Sequence, residues 1–169
     1  PTTVENAGGV NGQIYTTTST LEITFSAPIA QVNTVAIQSM FGEFPPMTQG
    51  TDYSFNENVL TINVPTQYLE NAANVPEEYR VLILALNVVD ADGKVVTYSN
   101  STMYPQEAAE QMGMTFLQYT VIPAIKVASV SPECGMLEEG MPTSVKLTFT
   151  GDIKSLEFGQ LRTKATGRL

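Results

Sequence analysis

Two phrases decide how this chain is read: STLEITFSAPIAQV at 19–32 and TSVKLTFTGDIKSL at 143–156. In the first, Leu21, Ile23 and Phe25 alternate with Glu22, Thr24 and Ser26, the period of a strand with one buried face. The second repeats the first at an offset of 124 residues, matching Leu21 with Val145, Ile23 with Leu147 and Phe25 with Phe149. The match continues through Ile29 with Ile153, Val32 with Leu156 and Ile37 with Leu161. Such a spacing is the size of a domain and too long for a solenoid unit. Residues 1–125 therefore read as one complete β domain. Residues 126–169 read as an incomplete second copy, or as strands that complete the first.

Strand patterns fill the space between the two phrases. VNTVAIQS (32–39) predicts a second strand after Pro28, and MFGEFPPMTQG (40–50) breaks into a loop. TDYSFNENVLTINVP (51–65) predicts a hairpin turning at Asn56–Asn58, and Gln67–Asn71 a single helical turn. RVLILALNVV (80–89) is almost continuously apolar, as a central strand covered on both faces must be. DADGKVVTYS (90–99) then predicts an Asp-Gly turn and a returning strand. PQEAAEQMGM (105–114) is the one expected helix, with Pro105 at its start and Gly113 as its stop. Extended character returns over 115–131, with a change of direction at Pro123.

Composition narrows the function classes. Eight Lys and Arg against seventeen Asp and Glu give a net charge of -9, which argues against nucleic acid as a partner. Arg162, Lys164 and Arg168 read as a solvated end. A single cysteine, Cys134, excludes an internal disulfide, and without any His nothing obvious activates its thiol. No apolar run reaches the length of a membrane span. The opening PTTVENAGG has no initiator Met and reads as a trimmed, mature end.

Candidate sites are few. Asp90 and Asp92 in DADG supply two carboxylates and a glycine of the kind a calcium loop uses, but Lys94, Val95 and Val96 follow where further ligands would be needed. A hairpin turn accounts for the same residues, so no metal site and no cofactor is expected. Met103, Met112, Met114, Met136 and Met141 read as core filler. Glu77, Glu78, Asp90 and Glu107 are too scattered to suggest paired acid–base catalysis. AGGVNG (7–12) has neither the strand before it nor the helix after it that a dinucleotide site needs. No catalytic residue is expected. Tyr15, Tyr53, Tyr68, Tyr79, Tyr98 and Tyr104 are the aromatic residues from which a glycan platform would be built, and their strand contexts favour half-buried positions.

SVSPECG (129–135) followed by TSVKLTFTGDI (143–153) resembles the opening of the bacterial Ig-like domains of surface and S-layer proteins. TSTLEITFSAPI (18–29), FNENVLTINVPTQYL (55–69) and EYRVLILALNVVDADGK (78–94) are similar to successive segments of the same family. Residues 100–126 fit no part of its pattern, and VENAGGVNG (4–12) stands where its Ser-Pro turn belongs. The resemblance implies an all-β, Ig-like antiparallel β-sandwich, with the one short helix in a late insertion. Leu21, Ile23, Phe25, Leu60, Ile62, Leu82, Leu84, Leu86, Val145, Leu147 and Phe149 form its expected core. It also implies a non-enzymatic module of an exported bacterial protein at the cell surface or in the periplasm, acting in adhesion, surface assembly or domain spacing. Its partners would be other surface proteins or glycans. Two other readings stand beside it: a glycan- or calcium-binding module, and a pilin-like subunit that self-associates by strand addition.

Overall fold

The computed structural model describes residues 1–125, 127–131, 146–151 and 153. They fall into two compact units, Pro1–Ala124 and Ile125–Leu169. The first holds β1 (Val4–Asn6), β2 (Gln13–Tyr15), β3 (Thr20–Phe25), β4 (Ile29–Ser39), β5 (Tyr53–Asn56), β6 (Val59–Asn63), β7 (Val81–Asp90), β8 (Tyr98–Ser99) and β9 (Thr115–Ile122). Its helices are α1 (Thr66–Leu69) and α2 (Gln106–Met112). The second unit contributes β10 (Val127–Ser131) and β11 (Lys146–Phe149).

Nine strands make two sheets in the first unit. One runs β1-β3-β6-β5 and the other β2-β9-β7-β4, with β8 attached to β9. Period-two alternation decides which side chains meet between them. Leu21, Ile23, Phe25, Leu60 and Ile62 point in from the first sheet; Leu82, Leu84, Leu86, Leu117 and Tyr119 point in from the second. All belong to one buried cluster, so the first unit is an all-β sandwich with a single inner core. Among the expected core residues, Leu147 and Phe149 are only half-buried in the second unit, and Val145 lies outside the described residues.

The apolar run of β7 is explained by a second, smaller core. Ile83 and Ala85 face away from the sandwich and pack with Phe116 of β9 and Ala109 of α2. Tyr104 stacks on Phe116 with ring centroids 4.3 Å apart and planes 10° from parallel. The segment from Tyr104 to Met114 thus lies over the outer face of the second sheet. Gly113 ends α2 with φ 65°, a left-handed cap that suits glycine.

Three expectations need correction. The hairpin expected over 78–99 closes at its turn but does not run on. Val95 bridges Val89 and Val96 N donates to Val88 O at 2.8 Å, and there the return ends. Beyond that point β9 occupies the edge of β7, pairing Leu86 with Thr115 and continuing to Val81 with Thr120. The returning chain is displaced and pairs instead with β9 as β8, in parallel. The sandwich is therefore not purely antiparallel, because β2 also runs parallel to β9. Finally, the segment 100–126 is not all insertion: its second half is β9, an interior strand of the second sheet. A second short helix, α1, stands near the helical turn expected at Gln67–Asn71 and continues into a 3-10 turn at Glu70–Asn74.

In the second unit the repeated phrase forms a strand again. β10 pairs antiparallel with β11, Val127 opposite Phe149 and Ser129 opposite Thr148, with a register shift between Val127 and Ser129. In the first unit β1 pairs antiparallel with β3, Val4 opposite Phe25 and Asn6 opposite Thr24, with a shift between Val4 and Asn6. Both units open with the same bulged strand pair.

Phe25 is fully buried at the centre of the sandwich. Phe25→Ala should cost about 3–5 kcal/mol in a chemical unfolding titration, through lost transfer energy and the cavity left behind. A loss near 1 kcal/mol would mean that the site collapses around the smaller side chain.

Candidate functional site

Asp90 ends β7 and its side chain builds the turn that follows. Its Oδ1 accepts from the backbone N of Asp92 and of Lys94, each at 3.0 Å. Its Oδ2 accepts from Thr2 Oγ1 at 2.7 Å, and its own backbone N donates to Lys94 O at 2.8 Å. Gly93 takes φ 78°, which the Asp-Gly turn requires. Both oxygens of this buried carboxylate are thus engaged by the protein, while Asp92 points into solvent. The hydrogen bond from Thr2 holds the Asp90 carboxyl below the ordinary aspartate range, helped by the Lys94 amide and opposed by partial burial. Among the described residues, no group of three or more Cys, Asp or Glu side chains is placed to hold a metal.

The other acids are also apart. Glu77 and Glu78 are exposed on the 3-10 turn Glu77–Tyr79, and Glu107 is exposed on α2. Met103 and Met112 lie on the surface, 54% and 57% exposed, so they are not core filler; Met114 is partly buried against the outer core. Cys134, Met136, Met141 and the Arg162, Lys164, Arg168 trio lie outside the described residues. The tyrosines make no common face. Tyr53 is buried, Tyr15 is exposed on β2, Tyr79 is exposed beyond α1, and Tyr104 is stacked on Phe116.

Pattern gives no role to the segment that links the two sheets of the first unit. The glycine-rich AGGVNG carries the chain from one sheet to the other. Asn11 (φ 53°) and Gly12 (φ 73°) form a tight turn in which Val10 N and Gln13 O, and Gln13 N and Val10 O, exchange bonds of 2.9 and 3.0 Å. A Cβ on Gly9 would stand 2.6 Å from Gln13 O, so this crossing is closed to larger residues. β2 then runs beside β9, pairing Gln13, Ile14 and Tyr15 with Thr120, Val121 and Ile122. Thr120 N donates to Gly12 O, Thr16 N to Ile122 O and Ala124 N to Thr16 Oγ1, at 2.8, 3.0 and 2.9 Å. Tyr119, 1% exposed, sends its hydroxyl across the core to donate to Ala7 O. Burial pushes its phenol above the ordinary tyrosine range. Its signal in the sequence is a phenol at an inward position of TFLQYTVI, which predicts a buried hydroxyl needing a partner.

No protein-family model matches the chain, and comparison with curated proteins returns no match. Among the described residues, no helix is long and apolar enough to cross a membrane.

The two buried acids make opposite pH predictions. Because the folded pKa of Asp90 is lowered, its contribution is intact above about pH 4 and is lost as pH falls through the folded value. Thr2→Val should therefore lower the melting temperature at neutral pH, with the deficit closing in strong acid; parallel curves for the two proteins would sink this. Tyr119 acts at the other end. Its raised pKa leaves stability untouched below about pH 10 and erodes it above, and Tyr119→Phe should flatten that alkaline limb.

Proposed function

We propose that Pro1–Ala124 is an Ig-like sandwich working as a non-catalytic, load-bearing module of an exported bacterial surface or periplasmic protein, one that spaces and presents its neighbours. The strand order supports the Ig-like part. An immunoglobulin sandwich sets strands A, B, E and D in one sheet and C, F and G in the other. Taking β1, β3, β6 and β5 as A, B, E and D, and β4, β7 and β9 as C, F and G, accounts for every strand of the two sheets except β2 and the two-residue β8. β2 is then the continuation of the first strand after it crosses to the second sheet. The shared opening of the two units, a bulged antiparallel pair whose second strand recurs at the repeat offset, supports reading the chain as consecutive modules.

The parallel pairing of β2 with β9 is the observation that carries the mechanical role. The chain enters the second sheet at the start of β2 and leaves the first unit beyond the end of β9. Tension along the chain pulls these parallel neighbours in opposite directions, so their ladder is loaded in shear and its bonds resist together. A pair loaded from one end would open bond by bond. The side-chain bond from Ala124 N to Thr16 Oγ1 and the two flanking main-chain bonds lengthen the clamp at both ends.

Single-molecule extension of the full chain from its two ends tests this. The first unit should unfold in one discrete event, and Thr16→Val should lower its unfolding force. Thr61→Val, on the outer face of the first sheet, should leave that force unchanged. Extension without a discrete event, or equal effects of the two substitutions, would overturn the load-bearing reading.

A further inference from the structure

Every sheet has edges, and those of the first unit are unequal. β1, β2 and β5 are edge strands of three or four residues, but β4 is an edge strand of eleven. Natural sheets protect long edges with charge, proline or bulges. No charged residue stands between Glu22 and Glu43, and the strand itself contains no proline. Register shifts occur only in its first half, between Ile29 and Gln31 and between Val32 and Thr34. The outer face there is occupied by amides: Asn33 Nδ2 donates to Asn87 Oδ1 at 2.8 Å, and Asn87 Nδ2 to Gly113 O at 3.1 Å.

The second half is different. Thr34 to Ser39 pair without interruption with Asn87 to Leu82. Among the described residues, no other strand pairs with β4, so the outward N–H and C=O groups of this half form a regular free ladder. Two hollows flank its end, and both include Gln38 and Ser39. One lies on the outer face and is apolar, between Met40, Val81, Ile83 and Met103. The other opens beside Ile37 and Phe44 of the inner core and carries the exposed carboxylate of Glu43. Met40 and Met103 are 45% and 54% exposed.

A strand added to an edge points successive side chains to opposite faces. One residue would enter the methionine hollow, and its neighbour in sequence would turn toward Glu43. Charge selects the partner further. Twelve of the seventeen acids lie in residues 1–124, against only two bases, Arg80 and Lys94. Arg80 Nε is already bonded to Ala72 O and Val75 O. A second copy would bring the same excess of negative charge to the interface, whereas a basic strand would be drawn to it.

We propose that the edge of β4 from Thr34 to Ser39 binds an extended basic segment of another protein by strand addition, with a large apolar side chain between Met40 and Met103 and an adjacent Lys or Arg at Glu43. Flexible thioethers suit the first position because they repack around different apolar groups.

Amide NMR on the full chain tests this with one probe: a capped heptapeptide of threonine, valine, threonine, leucine, arginine, valine and threonine, in that order. The expected result is saturable shifts centred on Val35–Ser39. Thr34→Lys, which places the natural edge-blocking residue on an exposed position, should weaken binding roughly tenfold. Met103→Asn should weaken it as well. Replacing the peptide's arginine with glutamate should reduce affinity, and Glu43→Gln should abolish that difference. Glu22→Gln, at an exposed position of β3 in the other sheet, makes the chain one charge more positive, as Thr34→Lys does, and should leave the position of the shifts unchanged. Shifts elsewhere, indifference to Thr34→Lys, or equal affinity of the two peptides for the unsubstituted chain would overturn the proposal. So would the same shifts appearing on raising the protein concentration alone, which would make a second copy the occupant.

Discussion

A strand whose two edges are both paired and whose two faces are both covered has no contact left to make with water, and β7 approaches that limit. β4 holds one edge and β9 the other. Leu82, Leu84 and Leu86 enter the core between the sheets, while Ile83 and Ala85 are roofed by α2 and Phe116. The other parts of the second sheet are arranged around this. Because β9 fills the edge of β7, the chain leaving the Asp90 turn cannot complete a hairpin and passes to the far side of β9 as β8. Because the roof needs a covering helix, the connection between β8 and β9 is long enough to contain one.

The same sharing governs β9. Its far edge is divided, with β8 beside Thr115 and Phe116 and β2 beside Thr120 to Ile122. The gap between them is closed by side chains: Asn100 Oδ1 accepts from Gln118 N at 2.8 Å, and Gln118 Oε1 accepts from Ser101 Oγ at 2.8 Å. Among the described residues no buried side-chain nitrogen or oxygen lacks a partner. The polar groups in and around the sandwich are thus spent on holding strands in place. Among the described residues, β4 is the one long strand with a partner on one side alone, and its other edge stays open.

How much was legible follows from the range of the interactions involved. Alternation identified β3, β5 and β6, and the continuous run 80–89 announced a strand covered on both faces, because burial of one residue type at a fixed period is a local signal. The helix over 106–112 was marked by its own Pro105 and Gly113. The turn at Asp90 was legible for the same reason. Its use of the carboxylate was not, since Thr2 stands 88 residues away. The place of β8 is not legible, because Val95 to Ser99 alternate as a strand should and alternation says nothing about which neighbour a strand will find. The inward phenol of Tyr119 is legible in the alternation, but its partner is not, because Ala7 O offers no side-chain signature.

By itself the sequence determined that this chain is a β protein, where most of its strands begin and end, and that its first strand phrase recurs 124 residues on. These are consequences of hydrophobic period and turn chemistry, which act over a few residues. Tertiary structure alone decided that β2 lies parallel to β9, that β8 leaves its hairpin, that Asp90 is bound to the N-terminal segment, and that β4 keeps an open edge. Each of those depends on which strand arrives beside which. Competition for a limited number of hydrogen-bonding edges is settled only when the whole sheet is assembled.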